Sequence, residues 1–175
     1  RPRAPEVPAC PLEQTGVALE CADGHRFRAF RVRATNSIGG VIVSIPDGRG
    51  RHPFYEELAL RFAEHGVDAL ALDFFGRTAG TEPTRGDAFD HTSHVEQITW
   101  PGVASDIRAA ARHLRMDNEE RVNALFTIGF CFGGRPASLA ATLGLDLPGT
   151  LALHRVPLGA GPRRRPADHQ LPRPH

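Results

Sequence analysis

Three short and nearly continuous apolar runs are the strongest pattern in this chain. They occupy residues 39–45, 67–73 and 121–128. Runs of this length without polar alternation are typical of strands that are covered on both faces, as in a parallel sheet flanked by helices. Residues 16–20 and 26–32 mix apolar and charged positions around a turn at residues 23–24, so we expect an edge pair of strands with one wet face there.

Segments with helical periodicity separate the buried strands. One helix is predicted over residues 53–65, with Pro53 in its first turn and Gly66 as its stop. A second is predicted over residues 99–116, and a third follows Gly134 and ends before Gly144. Repeated alternation of strand and helix predicts an α/β fold with a doubly wound, mostly parallel sheet and right-handed crossovers.

The two ends of the chain lack this periodicity. Residues 1–13 are proline-rich and are expected to form an extended tail, which leaves residues 14–150 as one partial α/β domain. Residues 151–175 contain five arginines and five prolines against a single acid, so we expect a disordered tail. Residues 150–156 could still form one strand.

Composition excludes several classes of function. The net charge is +1, which gives no general reason to expect nucleic acid or an acidic membrane as a partner. No apolar run reaches membrane-spanning length, and the first residues lack the apolar core of a signal peptide. Three cysteines without a C-x-x-C pair argue against a disulfide scaffold or a zinc site and favour a reducing, cytoplasmic setting.

Residues 129–134, GFCFGG, follow the third apolar run directly and precede a helix. A strand, a tight turn and a helix with G-x-nucleophile-x-G at the junction form the nucleophile elbow of α/β-hydrolases, here with Cys131 in place of serine. A Cβ at Gly129 or Gly133 would collide with the crossing strand and helix. The competing interpretation is that Cys131 is an inert, buried small hydrophobe.

Other motifs are weaker. The glycines after the third strand match neither G-x-G-x-x-G nor a P-loop, so nucleotide binding fits poorly. The connection over residues 74–97 is long enough to suggest a functional loop, and it contains His91 and His94. These histidines are expected to be solvent-exposed or to face a substrate, and no metal site is predicted from their spacing.

Four segments together resemble the dienelactone hydrolase family. They are the elbow GFCFGG, the loop GGVIVSIPDGRG, the helix HPFYEELALRFAEHG and the connection VDALALDFFGRTAGT, which occur in the family's order and spacing. The resemblance covers residues 24–149. It implies an α/β-hydrolase fold and a Cys-His-Asp triad that cleaves lactones or carboxylic esters, small-molecule substrates, without a cofactor.

Carried over to this sequence, the resemblance assigns five site residues. Cys131 would be the nucleophile, and the backbone N–H groups of Phe132 and Gly48 would form the oxyanion hole. Asp47 falls where the family has an acid near the thiol, usually a glutamate. Arg77 falls where the family keeps an arginine for a substrate carboxylate, a contact that suits a guanidinium fork.

Departures from the family lie after the elbow helix. Family members continue with strands and helices that supply the triad acid and histidine, whereas this chain continues into the Pro/Arg segment, so we expect a truncated or frame-shifted product with foreign residues from about residue 150. The histidines at 154, 169 and 175 are poor substitutes for the missing base.

Two consequences follow from this departure. The third buried strand would expose an unpaired apolar edge, through which the chain could self-associate. Activity would be impaired, and the alternative function is a catalytically dead module that binds a small anion or a partner chain.

Overall fold

A computed structural model of the protein describes residues 12–81, 85–116 and 123–153. In these ranges the strands are β1 (Glu13–Glu20), β2 (Arg26–Arg33), β3 (Gly40–Ile45), β4 (Val67–Leu72), β5 (Ala124–Phe130) and β6 (Gly149–Leu153). The α-helices are α1 (Pro53–Glu64), α2 (Gly76–Ala79), α3 (His91–Val95), α4 (Trp100–Met116) and α5 (Gly134–Ala140). None of these helices is long and apolar enough to cross a lipid bilayer.

One sheet contains all six described strands, in the order β1-β2-β4-β3-β5-β6. β1 and β2 pair antiparallel, and β2 pairs antiparallel with β4. The remaining pairs, β3 with β4, β3 with β5 and β5 with β6, are parallel. The mostly parallel α/β sheet predicted from the buried runs is therefore confirmed, and β1 forms the predicted wet edge, since most of its residues are exposed.

Helices cover both faces of the parallel strands. α1 packs through Ala59 and Ala63 against a cluster that includes Val32 and Ala69. α4 and α5 pack on the opposite face, in a larger core cluster that contains Ile107 and Leu114 of α4 and Ala137 and Ala140 of α5. The chain runs from β3 across α1 to β4 on one side, and from β5 across α5 to β6 on the other. Ligands of open α/β sheets bind where the winding reverses in this way, at the carboxyl ends of the strands.

The prediction that the third buried strand has an unpaired edge is wrong. β6 pairs with this strand, β5, along its last five residues, from Phe126 opposite Gly149 to Phe130 opposite Leu153. The reason is that the chain resumes a strand after Gly144, whose left-handed conformation (φ 68°) ends the helical segment. β6 thus extends three residues beyond the predicted domain boundary at residue 150, into the stretch 150–156 where one strand was allowed.

β6 is the outermost described strand on this side of the sheet, and its Leu151 and Leu153 are about half exposed (52% and 45%). Self-association through a sheet edge stays a prediction, now directed at β6. The rest of the predicted C-terminal tail, from residue 154, and residues 1–11 of the predicted N-terminal tail lie outside the described residues.

Candidate active site

The turn after β5 has the backbone geometry of a nucleophile elbow. Phe130 is extended (φ −117°, ψ 129°), and Cys131 follows with a positive φ of 49°. A one-turn 3₁₀ helix over Cys131–Gly133 then leads into α5. A non-glycine residue with positive φ carries strain of order 1–3 kcal/mol, and such residues cluster at functional sites. The Cys131 side chain is exposed at the top of the sheet and is not buried as an inert hydrophobe.

Both glycines that flank Cys131 occupy positions without room for a side chain. A Cβ on Gly129 would lie 2.0 Å from the carbonyl oxygen of Gly133 and 2.7 Å from Cβ of Ala137 in α5. A Cβ on Gly133 would lie 2.3 Å from the carbonyl oxygens of Ile45 and Pro46, at the end of β3. The crossing strand and helix therefore require glycine at both positions, for the reason predicted from the sequence.

The loop after β3 lies against the elbow, because a Cβ on Gly133 would meet the carbonyl oxygens of Ile45, the last residue of β3, and Pro46, the first residue of the loop. Residues 47–50 form a turn in which the Gly50 N–H donates to the Asp47 carbonyl at 3.0 Å. Within the described residues, the Asp47 and Arg49 N–H groups are hydrogen-bonded and the Gly48 N–H between them has no partner. It is a free donor beside the elbow.

Phe132 supplies a second backbone donor. It is the second residue of the 3₁₀ turn, and the first N–H groups of a helix have no partner within that helix. The loop after β3 and the turn after β5 come from adjacent parallel strands, so their free N–H groups lie at the same end of the sheet. The two predicted oxyanion donors, Phe132 and Gly48, are thus on the two loops that meet at Gly133.

The Asp47 carboxylate is hydrogen-bonded to Arg49. It receives three hydrogen bonds from the Arg49 guanidinium at 2.9–3.2 Å, and one from the Arg49 N–H at 2.9 Å. Burial alone would raise the pKa of Asp47, but the bonds from Arg49 outweigh it and hold this pKa below its ordinary value. The carboxylate makes no hydrogen bond with the sulfur, and the predicted role of Asp47 beside the thiol stays a prediction.

Arg77 lies in an internal ion-pair cluster. Its guanidinium contacts Asp106 Oδ1 at 2.8 Å and Asp23 Oδ2 at 2.8 Å, so both sides of its fork are occupied. Burial would lower the pKa of Arg77, but the bonds to the two carboxylates raise it instead. A contact between Arg77 and a substrate carboxylate stays a prediction, one that this geometry does not favour, because a substrate would have to displace two aspartates.

The same cluster contains the second described cysteine. The buried Cys21 thiol donates to Asp106 Oδ1 at 3.2 Å. Burial, assisted by this hydrogen bond, raises the pKa of Cys21 to about 11. Burial also raises the pKa of Asp106 to about 6, although Arg77 and Cys21 oppose the shift. Cys21 is therefore a protonated core thiol, which distinguishes it from the exposed Cys131.

A cavity of about 390 Å³ opens beside Cys131, a size within the range for small-molecule sites. The connection between α3 and α4, the first turn of α4, the turn after β5 and α5 form its walls. The lining residues are Ile98, Trp100, Val103, Cys131, Phe132, Arg135, Pro136 and Leu139. Among the described lining residues, Arg135 is the only one with a charged side chain. Sequence reasoning did not select Arg135; its position four residues after Cys131, on an otherwise apolar helix start, was the available signal.

Histidines do not reach the sulfur in the part of the chain that the structure describes. His94 stacks on Phe89 with ring centroids 5.2 Å apart, and its Nδ1 atom is buried without a hydrogen-bond partner. His91 begins α3 and is exposed. Among the described side chains, none forms a hydrogen bond with Cys131. The histidines at 154, 169 and 175 lie outside the described residues.

Tyr55 is a second residue that sequence reasoning missed. Its hydroxyl accepts a hydrogen bond from the Asp47 N–H at 3.0 Å, and its ring centroid lies 5.4 Å from that of Phe130. From α1 it therefore contacts the loop after β3 and the last residue of β5, directly before Cys131. A polar aromatic residue in the first turn of a buried helix was the signal, because a buried tyrosine hydroxyl usually has a partner.

Two curated proteins match this chain at similar levels of sequence identity. Carboxymethylenebutenolidase of Rhodococcus opacus is 33% identical over 104 residues, which is 59% of this chain and 38% of that protein. A Bradyrhizobium sp protein named Probable 2-oxo-3-(5-oxofuran-2-ylidene)propanoate lactonase is 32% identical over 107 residues, 61% of this chain and 42% of that protein. The chain thus spans about two fifths of the length of these relatives.

Solved structures agree with the fold. The dienelactone hydrolase-like promiscuous phosphotriesterase from metagenomic libraries superposes with a TM-score of 0.59 at 24% identity, covering 77% of this chain and 56% of that chain.

The family model named Dienelactone hydrolase family matches residues 27–169. This range continues past residue 150, so it includes most of the segment that was expected to be foreign. Because the match covers most of the sequence, the chain belongs to the dienelactone hydrolase family.

Proposed function

We propose that this chain cleaves carboxylic ester or lactone bonds with Cys131 as the nucleophile. The observation that carries the proposal is the exposed Cys131 at positive φ, between two glycines that admit no side chain and above a small cavity. A sharp turn of this kind presents a sulfur to a bound carbonyl while keeping its backbone clear of the strand and helix below. Membership of the family supports the reaction class.

The proposed reaction proceeds by acyl transfer. The Cys131 thiolate attacks the carbonyl carbon, a C–S bond forms, and the carbonyl oxygen takes the negative charge. The free N–H groups of Gly48 and Phe132 are the proposed donors to that oxyanion, and each such donor contributes about 3–4 kcal/mol to the transition state. The C–O bond then breaks, the alkoxide takes a proton from water, and hydrolysis of the thioester by a second water regenerates the thiol. With a lactone, the alcohol remains attached to the acyl group.

Hydrolysis of the thioester is the proposed slow step. A general base normally activates the attacking water, and no described histidine or carboxylate is hydrogen-bonded to Cys131. We therefore propose that turnover by this chain is impaired while acylation persists. The names of the two curated relatives indicate unsaturated five-membered lactones that carry a carboxylate, and we propose this class, alongside simple activated esters, as the substrate.

A second function is favoured by the same lack of a described base. The chain would then be a catalytically dead module that binds a small anion in the cavity beside Cys131. Such a module would bind the anion but would not be acylated at Cys131, and this difference distinguishes it from the hydrolase.

The test is p-nitrophenol release from p-nitrophenyl acetate by stopped flow, with Cys131→Ala as the control. The hydrolase proposal predicts a burst of about one equivalent followed by a slow steady rate, and the Cys131→Ala variant should lose both phases. A folded wild-type chain that releases no more p-nitrophenol than Cys131→Ala, in either phase, would contradict the hydrolase and support the dead module.

A further inference from the structure

Among the residues that the structure describes, Arg135 is the one cation in the wall of the cavity beside Cys131. The other lining side chains, apart from the thiol, are apolar: Ile98, Trp100, Val103, Phe132, Pro136 and Leu139. Arg135 is exposed at the start of α5, and within the described parts of the chain its guanidinium has no carboxylate partner. This contrasts with Arg77, whose guanidinium is held by Asp23 and Asp106.

A ligand that fills this cavity would remove water from Arg135. Removing water from the guanidinium without supplying an anion is unfavourable, because burying an unpaired charge costs free energy. A neutral, wholly apolar ligand would therefore be disfavoured, whereas a ligand with a carboxylate would offer a bidentate acceptor to the guanidinium. The apolar walls would take the remaining carbon skeleton.

We infer that Arg135 is the residue that binds the carboxylate of an anionic acyl substrate whose carbonyl lies at Cys131. The inference rests on the proposed function for the site, and it transfers the role of carboxylate recognition from Arg77 to a residue of the elbow helix. Arg135 and Cys131 line one cavity four residues apart, so both ends of a small substrate can be held at once.

Alkylation of Cys131 tests this without requiring turnover. Iodoacetate and iodoacetamide react with the same thiolate and differ in charge, so the ratio of their rates at one pH reports the local potential and is independent of the thiolate fraction. Rates at Cys131 are read by peptide mass spectrometry, which separates this residue from the other two cysteines. The variants are Arg135→Gln, Arg135→Lys and, as a control of equal charge change, Arg26→Gln.

Arg26 is a suitable control because it is exposed on β2, three strands away from β5, and pairs only loosely with Glu20 at 3.6 Å. Arg135→Gln should lower the iodoacetate-to-iodoacetamide ratio roughly five-fold, the factor for one unit charge about 4 Å away in a solvated site. Arg135→Lys should keep most of the wild-type ratio, and Arg26→Gln all of it. The wild-type ratio should fall with added salt.

The inference is overturned if Arg135→Gln leaves the ratio unchanged, or if Arg26→Gln lowers it equally, which would indicate a general effect of net charge. Far-ultraviolet circular dichroism confirms that each variant is folded, and the lysine variant and the salt dependence in the wild type keep the test informative if Arg135→Gln is unstable. Failure of the proposed nucleophile is a different result: the ester burst would be absent while the charge ratio still depended on Arg135.

Discussion

The Tyr55 hydroxyl accepts a hydrogen bond from the Asp47 N–H at 3.0 Å. This bond fixes the start of the turn that carries Gly48, and the same tyrosine ring packs on Phe130, immediately before Cys131. Burial raises the pKa of Tyr55 to about 12, so the hydroxyl stays neutral and available throughout the physiological range. Tyr55 therefore links the turn that carries Gly48 with the end of β5, directly before Cys131.

Removing this hydroxyl should loosen the loop. Tyr55→Phe keeps the ring and leaves the part-buried Asp47 N–H without its partner, which should lower the free energy of unfolding by about 1 kcal/mol in urea titrations. The acylation rate should fall as well, because the Gly48 donor is no longer held in place. Met116→Leu is the control: Met116 is exposed at the end of α4, and this change of similar volume should alter neither value appreciably. An unchanged acylation rate in Tyr55→Phe would contradict this positioning role.

The proposed oxyanion donor on Gly48 can be removed by substitution with proline, which has no backbone N–H. Gly48 is the second residue of the turn closed by Gly50 and Asp47, a position where proline is favoured, so Gly48→Pro deletes the N–H within a compatible backbone. We expect acylation to slow about 100-fold. Gly48→Ala keeps the N–H, and its Cβ would approach Val95 only to 3.8 Å, so it should retain the rate. Equal rates in the two variants would exclude Gly48 as a donor.

The close approach at the elbow predicts a large loss of stability. Gly133→Ala places a Cβ 2.3 Å from two backbone carbonyl oxygens, which neither strand nor turn can relieve by a side-chain rotation. The free energy of unfolding should fall by at least about 3 kcal/mol. Gly16→Ala, in β1, has no atom within 4 Å of its new Cβ and should be neutral or slightly stabilising in the same urea titration. A tolerated Gly133→Ala would contradict the elbow geometry.

Local sequence patterns were sufficient to predict the elbow and most of the elements. The apolar runs, the helix signals and the two glycines can each be recognised in a window of about ten residues. The structure places β3, β4, β5, α1 and α4 within a few residues of the predicted bounds. The reason for glycine at Gly129 and Gly133 could also be stated in advance, because it follows from the turn itself.

Contacts between distant segments could not be predicted in this way. Arg77 lies 54 residues from Asp23 and 29 residues from Asp106, so no periodicity indicates that the three side chains meet. The sequence allowed one strand over residues 150–156, but local patterns could not indicate that this strand pairs with β5, because α5 separates the two along the chain. Arg135 was overlooked because the family resemblance directed attention to Arg77.

Asp106 should make the free energy of unfolding decrease as the pH rises, which is the reverse of the usual effect of a carboxylate. Its pKa of about 6 in the folded chain exceeds the ordinary 3.8, so the folded state binds the proton more tightly and stability is lost as the pH rises from about 4 to 6. Asp106→Asn cannot titrate but keeps an acceptor for Cys21 and Arg77. The free energy of unfolding of the wild type minus that of Asp106→Asn should therefore fall by up to about 3 kcal/mol between pH 4 and pH 7.

Asp23 provides the matched comparison. Hydrogen bonds from Arg77 lower the pKa of Asp23, so its contribution to stability is present above the ordinary value of 3.8 and is lost as the pH falls below it. The free energy of unfolding of the wild type minus that of Asp23→Asn should therefore decrease as the pH falls below about 3.8, and it should be constant above that pH. A difference between wild type and Asp106→Asn that does not vary with pH would contradict the buried charge cluster.

Intact-protein mass spectrometry after brief exposure to p-nitrophenyl acetate tests the nucleophile most directly. The account predicts one acetyl group per chain, mapped by peptide analysis to Cys131, with no adduct in Cys131→Ala and none on the buried Cys21. A folded chain that carries no acetyl group on Cys131, or that is acetylated equally in the Cys131→Ala variant, would contradict the assignment of Cys131 as the nucleophile.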